Sequence, residues 1–135
     1  MSDNTIMVVG NLTKDPELRF TAGGKAVISF TVAVAHRYVV NGEWQEKASF
    51  FYVSAWGLLA ENAAATFIKG MRIIVVGRLE QEEYVDRDGE KRTVIKIVAD
   101  DLGPSLKWAF ATVERVPSHG AQQVPVADFD VEAPF

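Results

Sequence analysis

Hydrophobic and polar positions alternate along most of the chain with the period of strands. "NTIMVVGNL" is a short apolar run that closes near Gly10, a first strand. "DPELRFTAGGKAVISFTVAVAHR" contains two β-rich stretches split by Ala22, Gly23, Gly24 and Lys25, a glycine pair that suits a tight hairpin. Ile28, Phe30, Val32 and Val34 alternate with Val27, Ser29, Thr31, Ala33 and Ala35, so one face is bulky and the other small. Asn41-Gly42 marks the tip of the next hairpin, and "ASFFYVSAW" reads as the third strand.

The period then changes. In "GLLAENAAATFIKG", Leu58, Leu59, Ala63 and Phe67 recur at helical spacing, and Gly70 stands where a helix would stop. "MRIIVVGRLEQEEYV" returns to β, Asp88-Gly89 turns the chain, and "KRTVIKIVADDL" alternates as a fifth strand. The predicted order is β-β-β-α-β-β. An all-β chain of five strands with one helix between strands 3 and 4 is the plan of an OB-fold barrel. Beyond Pro117, "PSHGAQQVPVADF" has no periodicity and reads as a disordered tail, acidic at its end.

Composition narrows the chemistry. The 135 residues suffice for one domain, and 48% of them are apolar, enough for a core. With no cysteine, disulfides, thiolate zinc sites and cysteine nucleophiles are excluded, which suits a cytoplasmic setting. No apolar run has membrane-spanning length, and "MSDNTIMVVG" lacks the features of a signal peptide. The net charge of −4 at first argues against a polyanionic partner. However, Asp128, Asp130 and Glu132 lie in a tail without Lys or Arg, and the rest of the chain is close to neutral.

Catalytic groupings are sparse. His36 and His119 are the only histidines, and Asp100-Asp101 suits a turn at a strand end. "AGGKA" lacks the upstream Gly and downstream Ser or Thr of a phosphate loop, and "DRDGE" lacks most ligand positions of a calcium loop. The expectation is a non-enzyme with no cofactor and no metal.

The third strand is richer. Phe50, Tyr52, Ser54 and Trp56 share one face, and Phe51, Val53 and Ala55 share the other. Both faces cannot be core in a small barrel. Tyr38 and Tyr84 stand on the hairpins to either side, with Arg19, Arg37, Lys47, Lys69, Arg72 and Arg78 on or beside the same elements. Unpaired bases stack on such rings, and such cations can follow phosphates. Burial of the rings in a core or subunit interface is the competing reading, and periodicity alone leaves both open.

"VGNLTKDPELRFTAGGKAVISFTVA" resembles the opening of bacterial single-stranded DNA-binding proteins, and the likeness continues through "WGLLAENAAATFIKG" and "IIVVGRLEQEEYVDRDGEKRT". "GEKRTVIKIVADDLGPSLKWAFATV" is most similar to the actinobacterial branch, or to a phage or paralogous copy from that setting. The acidic ending on Pro-Phe is a second, separate match. The resemblance implies an OB-fold that assembles as a homotetramer and coats single-stranded DNA without sequence preference in replication, recombination and repair. It implies residence in the cytoplasm at the nucleoid, or in a host's cytoplasm for a phage copy. The family's stacking positions fall on Tyr38, Phe50, Trp56 and Tyr84, and a family basic position falls on Lys69. Trp44 is expected to pack in a loop, and Trp108 to make contacts in an extra C-terminal strand.

The expected organisation is an OB-fold DNA-binding and oligomerisation domain over residues 1–113, a flexible linker over 114–127 and a docking tip over 128–135. In the family such a tip recruits DNA-processing proteins. Phe135 would fill an apolar pocket, Pro134 would restrict the chain, and Asp128, Asp130 and Glu132 would steer towards a basic rim.

Two departures stand out. The linker is short and poor in glycine. Where relatives commonly carry Lys or Arg, this chain reads Glu80, Gln81, Glu82 and Glu83. Glu80 and Glu82 share strand parity with Tyr84, so they either lie beside the DNA and repel it or point outward and solubilise the hairpin. A scaffold module with weak DNA binding, or an RNA-binding OB domain, are the alternative functions.

Overall fold

The computed structural model describes residues 3–117, so the candidate tip residues Asp128, Asp130, Glu132, Pro134 and Phe135 lie outside the described residues. Among the described residues, six strands and one helix follow in the order β1 (Ile6–Leu12), β2 (Glu17–Phe20), β3 (Ala26–Val40), β4 (Glu43–Trp56), α1 (Leu58–Thr66), β5 (Arg72–Val85) and β6 (Lys91–Pro104). The sheet order is β1-β5-β6-β4-β3-β2, with β1 also pairing with β3. Five of the strands therefore close into a barrel, and the expected OB-fold holds. The sixth, β2, is a four-residue strand that pairs only with β3. The barrel's one parallel seam joins β4 to β6 at Val53↔Ile97 and Ser54↔Val98.

Closure depends on a close approach of two backbones. β1 meets β3 only at Asn11↔Ala33 and Leu12↔Val32. A Cβ on neighbouring Gly10 would sit 2.4 Å from the Ala33 carbonyl oxygen, so a side chain there would push the seam apart.

The core follows the alternation read from the sequence. Ile28, Phe30 and Val32 of β3 are buried with Val53 and Ala55 of β4, Ile73 and Val75 of β5, and Ile97 of β6. The helix closes one end of the barrel. It turns Ala60 and Ala63 inward, while Leu58, one of the apolar residues at helical spacing, is exposed. Small side chains let the helix lie close against the strands, and the bulk comes from Phe67 just past its end. The Phe67 ring meets Phe30 edge-on, with centroids 5.9 Å apart. Phe67 already has extended backbone, so the helix ends before Gly70, which belongs instead to the turn leading into β5.

The third barrel strand begins at Glu43, not Ala48 as the apolar run suggests. Asn41 (φ 52°) and Gly42 (φ 79°) form a two-residue turn with both central residues left-handed, the geometry that matches strand twist in a hairpin. It locks Val40 opposite Glu43 and extends the pairing outward. Residues 35–50 are exposed throughout, forming a ribbon that projects beyond the barrel. Trp44 is thus part of a strand, not a packed loop residue. The expected extra C-terminal strand is also absent: residues 105–117 form neither strand nor helix. Trp108 lies there, 74% exposed, with the Arg72 guanidinium 4.7 Å from its ring centroid.

Candidate nucleic-acid interface

The outer face of β4 is open. Phe50 is 59% exposed, Tyr52 56% and Trp56 43%, whereas Ser54 on the same face is buried. Their partners across β3 are Ala33, Thr31 and Val27, the small face read from the sequence. Small neighbours leave the rings standing clear of the sheet. Within this chain, the rings are not core. At the end of the row, the Lys25 ammonium lies 5.7 Å from the Trp56 ring centroid.

The β3–β4 register runs without interruption from Val27↔Trp56 to Val40↔Glu43. Side chains alternate, so Trp44 falls on the same face as Phe50, Tyr52 and Trp56. Tyr38 pairs with Gln45 and falls on the opposite face of the ribbon, where it stacks on His36 at 5.9 Å. The resemblance passes over Trp44 and selects Tyr38. Counting outward from the Asn41-Gly42 turn would have found Trp44's parity from the sequence.

An open cleft of about 690 Å³ lies over the middle of this face. Ser29 and Thr31 of β3 and Tyr52 and Ser54 of β4 line its floor. The β1–β2 connection and β2 form one wall with Lys14, Asp15 and Arg19, and the β5–β6 hairpin forms the other with Glu82 and Lys96. Beneath the floor, the Ser54 Oγ has no hydrogen-bond partner among the described residues. Of the predicted site residues, only Arg19 lines this cleft. Phe50 and Trp56 flank it along β4, Tyr38 lies out on the ribbon, and Tyr84 lies towards the far end of the β5–β6 hairpin, opposite Arg92.

The candidate cations differ in what they already hold. Arg37, Lys47 and Lys69 make no ion pair among the described residues, although the Lys69 backbone N–H donates to Asp15 Oδ1 at 2.8 Å. Arg19 pairs loosely with Glu17 at 3.5 Å. Arg72 donates to Ser105 Oγ and covers Trp108. Arg78 is shared between Glu80 at 2.9 Å and Asp100 at 3.4 Å.

The glutamates before Tyr84 resolve into two kinds. Glu80 pairs with Arg78, and Glu82, in the cleft wall, pairs with Lys96 at 2.6 Å. Glu82 therefore faces the cleft instead of pointing away, but beside a cation. Glu83 pairs across the hairpin with Thr93 and has the opposite parity. At the hairpin tip, Asp86 accepts from Arg92 Nε at 2.8 Å and from the backbone N–H groups of Glu90 and Asp88. The Arg92 guanidinium, helped by those N–H donors, holds the Asp86 carboxyl below its ordinary value of 3.8. The "DRDGE" stretch is thus a capped turn.

Among the described residues no group of three or more His, Cys, Asp or Glu could hold a metal ion, and no helix is long and apolar enough to cross a membrane.

A closed barrel with its helix between the third and fourth barrel strands, bearing an open aromatic face and a cleft between the first connection and the last hairpin, is an OB-fold of the ligand-binding type. The chain belongs to the single-strand binding protein family, whose sequence model matches residues 3–105. It is 47% identical to a single-stranded DNA-binding protein of Mycobacterium leprae, over 98% of this chain and 80% of that one. Identity to the protein of the same name from Mycolicibacterium smegmatis is 48%, over 87% of this chain and 73% of the relative. Single-stranded DNA-binding protein 1 of Tropheryma whipplei is 43% identical, over 93% of this chain and 70% of the relative. The actinobacterial likeness read from the sequence is borne out.

Proposed function

We propose that this chain binds single-stranded DNA with little base preference and protects it during replication, recombination and repair, without catalysing a reaction. The observation that carries this reading is the row of exposed rings on β4, with Phe50, Tyr52 and Trp56 standing over small side chains. A protein does not leave such rings in water without cost, and unpaired bases offer them matching apolar faces. Duplex bases are stacked on one another and do not. The names of the relatives agree with this reading.

In this account Phe50, Trp56, Tyr38 and Tyr84 stack bases, and Tyr52 and Trp44 join them. Phosphates follow Arg19, Arg37, Lys47 and Lys69. Arg72 and Arg78 contribute less, because Trp108 and two carboxylates already share their charges. Residues 1–113 form the binding and assembly domain, and residues 114–127 link it to a partner-docking tip at 128–135. Assembly into a homotetramer is part of the proposal. It is supported by large apolar side chains left exposed in one chain, among them Leu79, Val85 and Ile95 on the β5–β6 hairpin. The protein acts in the cytoplasm.

The test is a titration of intrinsic fluorescence with oligo-dT and with duplex of equal length at several salt concentrations. The three tryptophans give the signal. Strong quenching by oligo-dT alone, weakening with salt, supports the reading. Equal affinity for duplex, or no quenching, refutes it.

A further inference from the structure

The Glu82–Lys96 pair lies in the same cleft wall that faces Tyr52. Lys96 is the only base of β6 that lines the cleft, and its side chain is 24% exposed, so its reach is restricted. Its ammonium is 2.6 Å from the Glu82 carboxylate, whereas the opposite wall carries Lys14 with no ion pair among the described residues. In the strand register Lys96 sits opposite Glu80, but Arg78 holds Glu80, which leaves Glu82 as the acid that neutralises Lys96.

We propose that Lys96 is a phosphate-binding residue of the cleft, and that Glu82 competes with DNA for it within the chain. This rests on the reading of the protein as a single-strand binder and assigns that site a further residue and a means of setting its affinity. A nucleotide whose base lies on Tyr52 brings a neighbouring phosphate to the cleft wall. That phosphate must displace a carboxylate from Lys96 and leaves Glu82 unpaired beside a second anion. The pair also changes the salt dependence. A lysine already neutralised by a carboxylate does not add a condensed cation's release when DNA arrives, so Lys96 contributes little to the salt slope while Glu82 is present. The acid in the wall thus holds a potential contact in reserve.

The experiment compares Glu82→Gln with Glu83→Gln in the full chain, each titrated with oligo-dT across a salt series. Both remove one negative charge, but Glu83 has the opposite parity and makes no ion pair among the described residues. Glu82→Gln is expected to tighten binding about two- to fivefold at low salt, the range of one exposed ion pair. It is also expected to steepen the salt slope by about 0.7, one single-strand phosphate contact. Glu83→Gln is expected to leave the slope unchanged. Adding Lys96→Gln to Glu82→Gln should remove the gain. Equal responses of the two glutamate variants would mean that net charge alone acts, and would overturn the proposal. So would a gain that survives Lys96→Gln. Failure of the unaltered chain to bind oligo-dT would instead remove the single-strand reading itself, and this inference with it.

Discussion

Two long antiparallel ribbons leave the same barrel, and they offer a polyanion opposite surfaces. The β3–β4 pair has strands of 15 and 14 residues, and the β5–β6 pair has 14 in each. In the first, Arg37 and Lys47 make no ion pair among the described residues, and Trp44, Phe50, Tyr52 and Trp56 share one exposed face. In the second, Arg78, Arg92 and Lys96 are each paired with at least one carboxylate. Backbone architecture is nearly the same in both. What differs is that Arg78, Arg92 and Lys96 are each answered by an acid of their own ribbon, although Arg72 and Lys91 are not, whereas neither cation of the first ribbon is answered in this way among the described residues. A count of lysines and arginines would favour the second ribbon, which has Arg72, Arg78, Lys91, Arg92 and Lys96 against Arg37 and Lys47 in the first, but the ion pairs point the other way.

The largest effect should come from the aromatic row. Phe50→Ala with Trp56→Ala should weaken oligo-dT binding by roughly 1–3 kcal/mol for each base deprived of its platform. Far-UV circular dichroism should remain unchanged, because both rings are exposed. Next is the choice between faces of the ribbon. If the strand follows the row on β4, Trp44→Ala should cost about 1 kcal/mol or more, and Tyr38→Ala less. A larger effect at Tyr38 would shift the path to the other face and break the proposed continuity with Phe50.

The smallest effect concerns the tip of the β5–β6 ribbon. A carboxyl held below its ordinary value stabilises the folded form above that value, and the contribution disappears as pH falls through the depressed one. The Asp86 turn should therefore keep its order at pH 5 and lose it only below the ordinary value of 3.8. Amide chemical shifts of Asp88 and Glu90 during acid titration would report this. Asp86→Asn should remove the transition.

Much of the fold was legible because its signals are local. The Asn41-Gly42 turn, the bulky and small faces of β3 and the aromatic face of β4 each follow from a few neighbouring residues. The exposure of Phe50 and Trp56 could be argued but not decided, since exposure depends on what lies opposite them. The helix spacing grouped Leu58 with Leu59, Ala63 and Phe67, yet the close approach of helix and barrel buries Ala60 and leaves Leu58 exposed. The role of the glutamates could not be read, because Glu82 finds its partner on another strand. The β5–β6 register, unbroken from Val85↔Lys91 to Gly77↔Ala99, sets Lys96 directly opposite Glu80, and only the three-dimensional arrangement shows that Arg78 holds Glu80 and leaves Lys96 to Glu82. Trp44 shows the converse, being recoverable from the two-residue turn once the ribbon is known to continue past Lys47.

The central claim is that the unpaired cations of the β3–β4 ribbon, more than the carboxylate-paired cations of the β5–β6 ribbon, set the salt dependence of DNA binding. The most direct test is the salt dependence of oligo-dT affinity in two charge-neutralised variants. Arg37→Gln with Lys47→Gln should flatten the slope by about 0.7 for each phosphate that is no longer neutralised. Arg78→Gln with Arg92→Gln should leave it almost unchanged, because those cations are already paired. The reverse pattern, a flattened slope in the β5–β6 variant and none in the β3–β4 variant, would contradict the account.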